Sequence, residues 1–247
     1  MMAGLPCNHS ITENAMSKKE EQRKIKEEKQ AVAKRREKRN ALMVRIGAVI
    51  LTPLVLVVLY QGLFTGPPAL PPDTIGEADH VRGNPNAPVT LTVYADFQCP
   101  ACQTEFDVIA RAWPRIEDDV RLVYRYFPLD THRFSFQAAR FAEAAGLQGK
   151  FWEMHDMLFR NQQGWSFVED PTLLFDALAE EIGLDLTQLH ADIERDSVRA
   201  KIVSDQQGGV RAGVRSTPTL FINGRIVSNP QSPGALIDLI EEARSNG

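Results

Sequence analysis

Between Val89 and Tyr126 the chain changes its hydrophobic period twice. Val89-Thr90-Leu91-Thr92-Val93-Tyr94 alternates β-branched, apolar and aromatic side chains, the pattern of a buried strand. Phe106, Ile109, Ala110 and Trp113 then recur at helical spacing, and Pro114 is expected to break that helix. Val120–Tyr126 returns to the strand pattern. A strand, a helix and a strand in this order imply a parallel pair joined by a crossover helix.

The rest of the chain extends this unit. Ala138, Phe141, Ala142 and Ala145, ended by Gly146, mark one apolar helical stripe. Further stripes are Phe151, Met154, Leu158 and Phe159; Leu174, Ala177, Leu178 and Ile182; and Leu186, Leu189 and Ile193. All read as core faces, not as cofactor boxes. Thr219–Ile222 and Arg225–Val227 flank Asn223-Gly224, a strong hairpin signal, and Ala235–Ala243 reads as a closing helix. The expected fold class is α/β: a mixed sheet of four or slightly more strands, helices on both faces, and a helical insertion over about 133–212.

The N-terminal part has a different character. Residues 46–64, IGAVILTPLVLVVLYQGLF, hold no charge; as a helix they span about 28 Å, close to the hydrocarbon core of a bilayer. A buried core helix is usually shorter. A cleaved signal peptide has a short basic start and small residues at its cut, whereas here some 45 residues precede the run and GPPALPP follows it. An uncleaved transmembrane anchor is the preferred reading. Lys34, Arg35, Arg36, Lys38, Arg39 and Arg45 precede the run, and no Lys or Arg follows until Arg82. The positive-inside rule then puts the tail, 1–45, in the cytoplasm and the large domain, 89–247, on the extracytoplasmic side. The tail is read as a solvated segment beside anionic lipid. Met16 is an alternative start, and using it would leave Cys7 out. The proline-rich stretch 65–88 is expected to be a semi-rigid linker.

Charge narrows the partners. Residues 1–60 carry 12 basic and 6 acidic side chains, and the remainder 16 basic and 26 acidic. An acidic globular part argues against nucleic acid as its partner.

Three cysteines are too few for a disulfide-stapled scaffold. Two of them form Cys99-Pro100-Ala101-Cys102, where the first strand feeds the first helix. Metal binding, a structural disulfide and dithiol redox chemistry all use such a pair. A structural zinc site needs four ligands, and His80, His132, His155 and His190 each stand alone in the sequence; no metal or cofactor is expected. So small a disulfide ring stabilises weakly. Dithiol chemistry explains the placement best, because a helix N-terminus offers unpaired N–H groups and partial positive charge to a thiolate. Pro100 suits the first helical turn. Cys99 is then the exposed nucleophile and Cys102, one turn deeper, the resolving thiol. Asp96, three residues earlier, is a proton relay if buried and a turn or cap residue if exposed; the second reading is preferred. Pro218, in Arg215-Ser216-Thr217-Pro218-Thr219, begins a strand, and by pattern alone its peptide bond is expected trans.

Asp96-Phe97-Gln98-Cys99-Pro100-Ala101-Cys102 resembles the active-site motif of DsbA-like thioredoxin-fold oxidoreductases. So do Arg82-Gly83-Asn84-Pro85-Asn86-Ala87-Pro88-Val89, Arg125-Tyr126-Phe127-Pro128-Leu129, the segment from Lys150-Phe151-Trp152 to Leu158-Phe159, and residues 213–224, over roughly 79–245 in all. The resemblance implies a thioredoxin-like fold with an inserted helical domain and a cis Pro218 beside Cys99. It also implies that the Thr217 backbone pairs with an extended substrate. The substrates implied are cysteine-containing exported proteins, and the partner a quinone-linked oxidase of the membrane. Pro100-Ala101 lacks the histidine of the most oxidising relatives, so a tethered reductase with the same site stays open. A thiolate metal-binding module and a non-catalytic peptide-binding domain are the remaining readings.

Overall fold

The computed structural model describes residues 71–246 without a break and, before them, residues 26, 34–36, 39, 40, 43, 49, 51–53 and 55. The chain divides into two compact units, Met1–Phe64 and Thr65–Gly247. The described residues of the first unit are helical and exposed. The anchor expected at 46–64 lies outside the described residues except at Val49, Leu51, Thr52, Pro53 and Val55. Among the described residues no helix is long and apolar enough to cross a membrane. Most of the tail, with Cys7, and residues 65–70 of the linker also lie outside them.

The second unit is built on a five-stranded sheet of order β1-β3-β2-β4-β5. The strands are β1 His80–Gly83, β2 Val89–Ala95, β3 Val120–Tyr126, β4 Thr219–Ile222 and β5 Arg225–Val227. β2 and β3 are parallel, in register from Val89 opposite Val120 to Ala95 opposite Tyr126, while the other pairs are antiparallel. Every residue of β2 is buried, as expected of a central strand covered on both faces. Val89, Leu91, Val93 and Ala95 enter the main core, whereas Tyr94 packs with Phe127, Val214 and Phe221 on the opposite face. Fully burying a side chain such as Leu91 contributes about 1.5–3 kcal/mol. Asn223 (φ 48°) and Gly224 (φ 78°) make the two-residue turn between β4 and β5, which needs left-handed backbone at both positions.

Helix α1, Pro100–Ile116, buries Cys102, Glu105, Phe106, Ile109, Ala112 and Ile116 along one side. Pro114 lies inside its last turn instead of ending it; its missing N–H leaves the Ala110 carbonyl without its helical i+4 donor, and the Glu117 N–H caps the Trp113 carbonyl at 3.0 Å. The block between β3 and β4 comprises α2 Ser135–Leu147, α3 Phe151–Arg160, α4 Gln162–Trp165, α5 Thr172–Glu181, α6 Leu186–Ile193 and α7 Asp196–Arg211. Helix α8, Pro233–Ser245, packs beside α1, and the Ser232 hydroxyl caps its N-terminus.

The stretch read as linker contributes structure of its own. His80–Gly83 forms the edge strand β1. Ahead of it, Arg125 donates to the Pro71 and Thr74 carbonyls, to the Tyr94 hydroxyl and to both carboxylate oxygens of Asp79. Lys201 of α7 reaches Asp79 at 3.3 Å and Asp205 at 2.7 Å. Buried charges persist when paired and hydrogen-bonded in this way, so residues 71–79 are held to the sheet.

Candidate active site

The end of β2 sets the site. After Ala95 the chain turns through Asp96-Phe97-Gln98, and Cys99 occupies the N-cap of α1 with Pro100 following it. The Cys99 N–H donates to the Asp96 carbonyl at 3.1 Å, and Gln162 of α4 donates to the carbonyls of Phe97 and Cys99 at 2.8 and 2.9 Å. The Gln98 side chain bridges the Phe134 N–H and the Ser166 carbonyl. Phe97 is buried against Tyr124, Tyr126, His155 and Phe159. The turn is therefore fixed from both sides by the helical block.

Asp96 is buried, against the exposed cap or turn preferred from sequence, because the loop after β3 closes over it. Its Oδ1 accepts from the Gln98 N–H at 2.8 Å; its Oδ2 accepts from the Leu129 N–H at 3.0 Å and faces His132 Nδ1 at 2.7 Å. The Asp96 N–H points at the Cys102 sulfur, 3.5 Å away.

The second loop of the site arrives from the far end of the chain. Tyr94 of β2 pairs with Thr219 of β4, and that register carries Thr217 and Pro218 to the cysteines. The Thr217–Pro218 bond is cis, where pattern alone favoured trans. The Cys99 thiol lies 3.5 Å from the Thr217 carbonyl oxygen. This loop covers Cys99, expected to be exposed, so that only 7% of its surface meets solvent. Cys102 is more deeply buried, while Pro100 and Ala101 are exposed at the helix end. Cys99, Cys102, Pro100, Ala101, Thr217, Pro218 and Asp96 thus converge on one locus.

The two sulfurs are electrostatically opposite. A hydrogen bond from the Cys102 thiol favours the Cys99 thiolate most; burial opposes it, and the Thr217 side chain and the Cys102 and Ala101 N–H groups add support. The balance lowers Cys99 to about 5. Cys102 is pushed well up, first by burial and then by its neighbour Cys99. One sulfur is thus a thiolate at neutral pH and the other a thiol, the arrangement required for a nucleophile and a resolving partner. Among the described residues, no three His, Cys, Asp or Glu side chains are grouped to hold a metal ion.

Sequence reasoning missed four contributors. His132 and Gln162 carry polar side chains in segments without periodicity, and only tertiary structure brings them to the turn; Gln98 lies in the turn itself, but its partners Phe134 and Ser166 are remote in sequence. Glu105 was passed over although it lies three residues after Cys102 on the inner side of α1.

The family model described as Thioredoxin matches residues 76–242. The chain is 30% identical to a thioredoxin-like oxidoreductase from Silicibacter pomeroyi, with a TM-score of 0.60 over 69% of this chain and 94% of that one. BdbD from Bacillus subtilis superposes with a TM-score of 0.62 at 20% identity, over 72% of this chain and 100% of that one, a likeness of fold. A protein named Na(+)/H(+) antiporter NhaA 1 from Mycolicibacterium gilvum is 36% identical over 188 residues, 70% of this chain. The chain spans only 29% of that antiporter's length.

Proposed function

The chain belongs to the thioredoxin-like family of DsbA-like thiol–disulfide oxidoreductases, and from that premise we propose that it introduces disulfides into cysteine-containing exported proteins through Cys99 and Cys102. Cys99 is the sulfur attacked by the client, and Cys102 is its resolving partner. Pro100 and Ala101 shape the helix end that stabilises the thiolate. Asp96 holds the turn, and the Thr217 backbone beside Pro218 is the edge on which an extended client segment pairs.

The opposite displacement of the two sulfurs carries this reading. A stabilised Cys99 thiolate favours the reduced dithiol over the disulfide, which makes the disulfide a better oxidant. In this reading the uncharged run at 46–64 with its basic flank tethers the domain on the extracytoplasmic side. A quinone-linked oxidase in the same membrane then restores the disulfide. Structural disulfides form in such oxidising compartments.

The test is oxidation of a reduced two-cysteine protein by the full-length chain. Wild type is expected to form the disulfide, and Cys99→Ser to form none. Persistence of the wild-type rate in Cys99→Ser rules the proposal out. The Pro100-Ala101 pair, without a histidine, favours a second reading, a tethered reductase. The reduction potential separates the two: about −120 mV, as in DsbA, marks a donor of disulfides, and about −270 mV, as in thioredoxin, marks a reductase.

A further inference from the structure

Asp96 lies between β2 and α1 with a side chain that meets no solvent. A buried carboxylate is costly unless it is paired and hydrogen-bonded. Three donors meet this one: the Gln98 N–H on Oδ1, and the Leu129 N–H and His132 Nδ1 on Oδ2. A carboxylate only accepts, so His132 carries a hydrogen on Nδ1 in either charge state. Among the described residues, His132 is the only basic side chain paired with Asp96. The loop that presents His132 is itself held. Its N–H donates to the Leu129 carbonyl at 2.9 Å, its carbonyl accepts from the Ser135 N–H, and Gln206 of α7 donates to the Pro128 carbonyl.

The carboxylate anchors the backbone that carries it. The Asp96 carbonyl accepts from the Cys99 N–H at 3.1 Å, and the Asp96 N–H points at the Cys102 sulfur, 3.5 Å away. Cys102 is the sulfur on which electrons arrive when the disulfide opens, and it is only 1% exposed. The Asp96 N–H favours charge there, against the burial that pushes this thiol well up. In a site that excludes water, a fixed N–H aimed at the atom where charge develops lowers the barrier, as the donors of an oxyanion hole do. Its value depends on staying aimed, and the three donors on the carboxylate are what hold it.

We propose that His132 is a positioning residue of the exchange reaction, holding Asp96 so that the Asp96 N–H meets the negative charge that develops on Cys102 as the disulfide opens and closes. In the opening step a client thiolate attacks Cys99. The client–Cys99 bond forms, the Cys99–Cys102 bond breaks, and the electron pair goes to the Cys102 sulfur. The client's second thiol then loses its proton to solvent and attacks the client's first sulfur, Cys99 leaves as a thiolate, and solvent returns a proton to Cys102. In the closing step the Cys99 thiolate attacks a partner's disulfide, which is the oxidant, and one partner sulfur leaves as a thiolate. Cys102 gives its proton to solvent and attacks Cys99, and the partner's other sulfur leaves as a thiolate. Cys102 is uncharged before and after each passage, as disulfide or as thiol. The aimed N–H therefore speeds both directions and leaves the equilibrium where it was.

This inference rests on the exchange reaction proposed above. The experiment mixes full-length oxidised protein with reduced glutathione, and full-length reduced protein with oxidised glutathione. It reads the opening rate, the rate at which Cys102 resolves the Cys99–glutathione mixed disulfide, and the equilibrium constant. His132→Leu is expected to slow opening and resolution at least tenfold each, while the equilibrium constant changes less than threefold and the Cys99 alkylation midpoint stays unchanged. His132→Asn, whose amide N–H takes the place of Nδ1–H, is expected to recover most of both rates although it carries no charge. Wild-type rates in His132→Leu overturn the inference. So does a tenfold change in the equilibrium constant with only one rate altered, the mark of a shifted ground state, and so does a His132→Asn that recovers nothing. A second measurement needs no variant: nitrogen NMR spectra of the wild type are expected to show His132 protonated at Nδ1 in both redox states, and a bare Nδ1 overturns the inference. If the wild type forms neither mixed disulfide nor Cys99–Cys102 disulfide, the exchange reading fails and this inference falls with it; normal exchange with an indifferent His132→Leu removes this inference alone.

Discussion

The Cys99 sulfur lies 3.5 Å from the carbonyl oxygen of Thr217, 118 residues further along the chain. The antiparallel pairing of β2 with β4 is what closes that distance. It leaves the Thr217 hydroxyl buried without a hydrogen-bond partner among the described residues, while the same side chain favours the thiolate at Cys99. The site is therefore better satisfied with Cys99 ionised than with it protonated.

The pH profile of alkylation checks this. Iodoacetamide is expected to modify Cys99 with a midpoint of about 5. Cys102→Ala, which removes the largest stabilising contact, is expected to move that midpoint upward by a unit or more, toward the ordinary value near 9. Thr217→Val is expected to move it in the same direction by less. A midpoint unaffected by Cys102→Ala contradicts the assignment of that thiol as the main donor.

The same group links stability to pH. Cys99 titrates lower in the folded dithiol than its ordinary value near 9. Between pH 5 and 9 the unfolded chain binds one more proton at this residue, so stability rises with pH across that window. At pH 7 the gain over Cys99→Ser is about 2–3 kcal/mol, at about 1.4 kcal/mol per unit. Urea melts of the reduced protein and of Cys99→Ser at pH 5 and pH 8 measure it, and a difference that shrinks as pH rises refutes it.

Asp79 provides a test away from the cysteines. Burial raises this carboxyl, but Arg125 and Lys201 outweigh burial and hold it below the usual range. Asp79→Ala removes a buried carboxylate that faces both Arg125, 2% exposed, and Lys201 and is expected to cost about 3 kcal/mol or more. The difference from wild type is present above the ordinary carboxylate value near 3.8 and fades as pH falls below it. Denaturant midpoints at pH 7 and pH 3 measure both parts, while the alkylation midpoint of Cys99 is expected to stay where it was.

The sequence was most legible where one side-chain period decided an element. β3 runs over Val120–Tyr126, as its alternation indicated, and the Asn223-Gly224 turn joins β4 to β5. Legibility failed where polar side chains face inward. Helix α7 presents Lys201 and Asp205 to the interior; a stripe interrupted by a buried ion pair does not look apolar. The edge strand β1 was hidden for a related reason, since a proline-rich segment reads as linker until Arg125 is seen to hold it. His80, His132, His155 and His190 stand alone in the sequence, yet each meets a carboxylate: Glu143, Asp96, Asp156 and Asp176. Only the tertiary arrangement supplies such pairs. At the active site the motif marked the sulfurs, while the burial of Asp96 and the closeness of Thr217 depend on loops that no local pattern encodes.

Glu105 makes the last prediction, because its cost to the fold has a sign opposite to that of Cys99. Burial alone raises its carboxyl to about 7 from an ordinary value of 4.5. Between those limits the unfolded chain has lost the proton and the folded chain keeps it, so stability falls as pH rises through the window. Glu105→Gln keeps the shape of the neutral acid and cannot ionise. It is therefore expected to match wild type near pH 4.5 and to exceed it by about 3–3.5 kcal/mol at pH 8, at about 1.4 kcal/mol per unit. Comparing the two proteins with both sulfurs oxidised keeps the Cys99 thiolate out of the difference. Equal stability at both pH values removes burial of a titrating acid as the cause.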